Sequence, residues 1–106
     1  MIISLSPQIC DLRVPDIERD GDALIIDGTR FDFSQLAEGD ALAREATASP
    51  YFAGEVRRQD GQVLVPILFP IDELASDEMR FPVPFVDPPD GRLELPRVKP
   101  REIPTQ

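Results

Sequence analysis

Five carboxylates near the N-terminus have the types and spacing of a calcium-binding loop. Asp16, Glu18, Asp20 and Asp22 alternate along the chain, Gly21 holds the sixth position and Asp27 the twelfth. Calcium takes about six to eight hard oxygen ligands and such a loop needs a sharp glycine turn, so the pattern is chemically coherent. Against it, Ala23 stands where the motif carries isoleucine, and Asp27 replaces the longer final glutamate. Pro15 and strand-like flanks also deny the loop its two helices. An acid-rich hairpin turn accounts for the same residues and is the preferred reading, with an acidic calcium-binding β module as the alternative.

Other chemistry is thinner. Ile26-Asp27-Gly28-Thr29 resembles an aspartic-protease loop, but glycine precedes threonine, which misplaces the groups that support a catalytic carboxylate. The acidic pairs Asp72-Glu73 and Asp77-Glu78 have the types a glycosidase needs, but a solvated helical face explains them better. The chain has no histidine and one cysteine, Cys10. That removes the ordinary serine triad, the histidine-activated thiol, an internal disulfide and a cysteine-based zinc site. An enzyme here would have to run on carboxylates or hydroxyls. We therefore expect no enzyme and no cofactor. Arg57-Arg58 is a candidate anion contact, although neighbours on a strand point to opposite faces. Phe81, Val83 and Phe85 alternate with Pro82 and Pro84, and this apolar row with a proline-marked edge is the preferred interaction surface.

Charge narrows the partners. At 106 residues the chain fits one domain, and its formal net charge is −9. Arg97, Lys99, Arg101 and Glu102 put +2 on residues 97–106, which leaves −11 on residues 1–96. So negative a body repels phosphate backbones and anionic lipid, so neither nucleic acid nor membrane is expected as a partner. No stretch has the apolar length of a membrane span, and Met1–Pro7 lacks a signal peptide's charge and length. A soluble, cytoplasmic protein is expected, with a single β domain over 1–96 and a flexible Pro/Arg-containing tail over 97–106.

The elements that must position these residues are β-hairpins. Four of the six glycines follow aspartate, at Asp20-Gly21, Asp27-Gly28, Asp60-Gly61 and Asp90-Gly91, and Asp-Gly favours the positive φ pair of a type I′ turn. The pattern predicts strands at 2–6, ended by Pro7, at 12–14, 23–26 and 29–33, and a hairpin of 51–58 with 62–69. The last of these is apolar on both faces and reads as the centre of a sheet, with a bulge or a one-sided edge at Pro66 reconciling the proline. Residues 34–50 read as a loop, with a short helix over 41–46 capped by Asp40 as the alternative, and Asp72 predicts a helical turn within 71–80. The fold class expected is mainly β, a small antiparallel sandwich or open barrel built of hairpins with one or two short helical turns.

Leu24 to Gly39, followed by Tyr51-Phe52-Ala53-Gly54-Glu55-Val56 and the Gln59-Asp60-Gly61 hairpin, resembles a group of small uncharacterised proteins encoded in bacterial prophages among tail and morphogenesis genes. The likeness covers residues 1–96 and carries over no active-site residue. Phe81 to Pro89 and the basic tail depart from that group. The resemblance implies a non-enzymatic interaction or assembly component, an accessory or minor structural protein of a phage tail. Its partners would be other phage structural or assembly proteins, with a homo-oligomer left open, in the host cytoplasm or on the virion.

Overall fold

The computed structural model describes residues 1–96; the tail expected over 97–106 lies outside the described residues. The chain is mainly β. Nine strands form two sheets, with one 3-10 turn and one short helix between them.

The hairpins form where the turn chemistry places them. Strand β2 (Ile17–Asp20) pairs with β3 (Ala23–Ile26), and β3 pairs with β4 (Thr29–Asp32), both antiparallel. Asp27 and Gly28 have φ of 49° and 84°, and Asp60 and Gly61 have 53° and 77°, the double positive φ of a type I′ turn. Glu38 braces the second of these, its two carboxylate oxygens accepting the Asp60 and Gly61 amides at 2.7 Å each. Asp20-Gly21 turns one residue later than expected, because Asp20 is already paired with Ala23.

The other sheet departs from a meander. Strand β1 (Ile2–Ile9) runs parallel to β7 (Gln62–Ile71), from Ile2 opposite Leu64 to Ile9 opposite Ile71. Pro7 therefore does not end the first strand, and Pro66 and Pro70 lie inside β7. Backbone direction explains all three. The Pro66 carbonyl and the Leu68 amide bond to Ala53 and Tyr51, so even residues of β7 face away from β1. Met1 accepts from the Asp87 amide, so odd residues of β1 face away from β7. Since backbone direction alternates along a strand, each proline turns its missing N–H away from the β1–β7 ladder.

Pro66 also shapes the next strand. Strand β6 (Val56–Gln59) pairs with β7 only as far as Arg57 opposite Leu64, and pairing resumes as a bridge of Phe52 to Ile67. Five steps on one side match three on the other, which is the expected bulge. Beyond β6 lies β5 (Ala41–Leu42), then a 3-10 turn at Arg44–Thr47, both within the stretch read as a loop. The helix α1 (Asp77–Arg80) begins at Ser76, whose hydroxyl accepts the Met79 amide; Asp72 instead closes a turn onto Leu74. Strand β8 (Phe85–Val86) then caps the edge of β1 at Ile2 and Ile3. Asp90-Gly91 is no hairpin: Gly91 opens β9 (Gly91–Arg92), which pairs with β2 in the other sheet.

The sheets run β5-β6-β7-β1-β8 and β4-β3-β2-β9. Their facing residues form one core, with Ile3, Val65, Ile67 and Phe69 from the first and Ile17, Leu24 and Ile26 from the second, all buried. Phe52 fills the centre, edge-on to Phe31 and Phe33 at ring separations of 5.0 and 6.2 Å. This is a β sandwich, antiparallel except for its central parallel pair.

Candidate functional site

Seven large apolar side chains are exposed among the described residues, and all lie in two stretches, 9–14 and 74–86. The first follows β1, where Leu12 and Val14 were expected on a strand. Residues 10–16 form no strand, so the apolar alternation has no sheet to bury it. The connector is nevertheless fastened. The Tyr51 hydroxyl donates to the Arg13 carbonyl at 2.9 Å, and the Arg13 guanidinium pairs with Asp27 at 3.0 Å. Burial pushes the Tyr51 phenol pKa up, keeping it the neutral donor.

The second stretch carries the apolar row. Phe85 sits opposite Ile3 and packs on the core, whereas Phe81 and Val83 are 78% and 81% exposed. Core packing, the ordinary fate of such a row, therefore applies to one of the three. Pro82 and Pro84 lie in the stretch before β8, which forms no strand. The segment is held from behind: Met79 is buried, and the Arg80 guanidinium donates to the carbonyls of Ala75 and Glu73 at 3.1 and 3.0 Å.

The two stretches meet residues 92–96 around a groove of about 1150 Å³. Leu12, Val14, Phe81, Val83 and Leu95 supply its apolar wall, and Asp16, Asp72, Glu78 and Glu94 bring carboxylates to it. Outside the groove lining, Arg19 of β2 fastens the stretch between β8 and β9. Its guanidinium pairs with Asp87 at 2.8 Å and also donates to the carbonyls of Pro88 and Gly21. That hydrogen bond, with the N-terminal ammonium 3.5 Å away, holds the Asp87 carboxyl below its usual pKa.

The five carboxylates of the calcium pattern are spent differently. Asp16 pairs with Arg92, Asp20 with Arg30 at 2.6 Å, Asp22 with Arg58 at 3.1 Å, and Asp27 with Arg13 while accepting the Asp16 amide. Glu18 stands on β2 between Ile25 and Arg92. Among the described residues no three acids or cysteines converge as a metal site. The Arg57-Arg58 pair is engaged within the fold: Arg57 pairs with Glu55 at 3.5 Å, and the Arg58 guanidinium, besides Asp22, ties down the carbonyls of Leu36 and Phe33. The residues missed in the sequence are Leu12, Val14 and Leu95; their alternation was visible, and the lack of a pairing strand was not. No helix among the described residues is long and apolar enough to cross a membrane. No protein-family model, curated protein or solved structure matches the chain.

Proposed function

We propose that this chain is a non-enzymatic interaction component that docks a partner protein on the groove between residues 10–17, 70–85 and 92–96. The observation that carries this reading is that four of the seven exposed large apolar side chains among the described residues, Leu12 and Val14 from one stretch and Phe81 and Val83 from another some sixty residues on, line one groove. Exposing Phe81 and Val83 forgoes roughly 1.5–3 kcal/mol of burial for each large side chain, and contiguous apolar surface of this kind marks an interaction site. The resemblance of residues 24–39 and 51–61 supports a partner among phage structural or assembly proteins, met in the host cytoplasm or on the virion.

Phe81→Ser with Val83→Ser is the test, because both side chains are exposed and neither belongs to the core. Phe85→Asp is unsuitable, since Phe85 packs on the core. The double variant is expected to keep the wild-type circular dichroism and thermal midpoint while losing co-purification with tail proteins. Undiminished co-purification would refute the assignment.

A further inference from the structure

Resting on that docking reading, we infer that the groove takes a basic, extended segment of a partner protein, its apolar side chains against Phe81 and Val83 and its cations against the groove's carboxylates. Size argues for a polypeptide: at about 1150 Å³ the open groove exceeds the roughly 300–1,000 Å³ clefts that hold small molecules. The mode is side-chain docking. Pro82 and Pro84 offer no amide to a partner strand, so the stretch leading into β8 is a poor template for strand addition.

Charge selects the sign. Four carboxylates and two guanidiniums line the groove, and both guanidiniums are engaged, Arg92 with Asp16 and Arg13 with Asp27. Asp72 and Glu94 stand on the lining without an ion pair among the described residues. The groove is thus net negative on a body of net −11 over residues 1–96, which attracts a basic segment and repels an acidic one. A second copy would bring another −9 chain to the same surface, a like-charge approach that disfavours self-association.

Three labelled ten-residue peptides test this, sharing the same Val and Pro positions and carrying Lys, Gln or Glu at the others. Fluorescence anisotropy with the full chain at low salt should rank them Lys, Gln, Glu. About a tenfold gap is expected between the extremes, from a few exposed pairs of ordinary strength. Phe81→Ser with Val83→Ser should abolish Lys-peptide binding, and 0.5 M salt should weaken it. Equal binding of all three peptides would overturn the basic partner and leave the docking reading standing. Binding that survives in the double variant would place the contact elsewhere and overturn the inference, as would no binding at all. Sedimentation showing self-association that the double variant abolishes would make the occupant a second copy. Binding that appears only after Arg97→Glu, Lys99→Glu and Arg101→Glu would make it the chain's own residues 97–106. Either result overturns the inference.

Discussion

At the residue level arginines take up Asp16, Asp20, Asp22 and Asp27, four of the five carboxylates whose spacing left a calcium site as the alternative reading. The partners are distant in sequence, 36 residues for Arg58 and Asp22 and 76 for Arg92 and Asp16. Local spacing showed the carboxylates and concealed what they bind. Arg19 is the most consequential of these residues, because its side chain is 14% exposed and ties the 87–90 stretch to β2. The consequence is testable through Asp87. Its carboxyl has a lower pKa folded than unfolded, so its contribution is present above the unfolded value, near 4, and is lost as pH falls through the folded one. Asp87→Asn should therefore lower the thermal midpoint at neutral pH, and the gap from wild type should close below about pH 4. A gap that persists unchanged into acid would show that the pairing is not what the substitution removes.

At the level of elements, the sandwich is held by the central pair β7 and β1. Ile67 is fully buried within it, and Leu74 is exposed on the outer stretch. Ile67→Ala should cost about 2–5 kcal/mol in denaturant unfolding, and Leu74→Ala should stay within about 0.5 kcal/mol. Comparable losses at the two sites would contradict this core. The hairpins at Asp27-Gly28 and Asp60-Gly61 were legible because a type I′ turn is decided by two adjacent residues. The apolar run of β7 was legible as a central strand for a similar reason. Its parallel partner was not, because β1 lies some sixty residues earlier and parallel pairing leaves no turn signature. The missing strand over 12–14 has the same origin: an alternating pattern fits a strand, but only a neighbour with free hydrogen bonds makes it one. The alternative helix over 41–46 does not form for want of length: Ala41 and Leu42 pair with β6, and Arg44–Thr47 make a 3-10 turn.

For the whole molecule, one core joins the two sheets while Leu12, Val14, Phe81 and Val83, four of the seven exposed large apolar residues among those described, line a single groove. Phe81, Val83 and Phe85 were visible as a row in the sequence. The division of that row, with Phe85 spent on the fold and Phe81 and Val83 left for contact, depends on where β8 ends against β1. Charge acts at the same scale, since the net −9 discourages phosphate-bearing partners and makes the groove selective by sign. The central claim is that this groove, and not the outer face of the other sheet, meets a partner. Site-specific photo-crosslinking from position 83, with position 32 on β4 as the exposed control, measures it against the proposed phage partners. The account predicts a discrete adduct with a phage structural or assembly protein from position 83 and none from position 32. No adduct from position 83, or equal adducts from both, would contradict it.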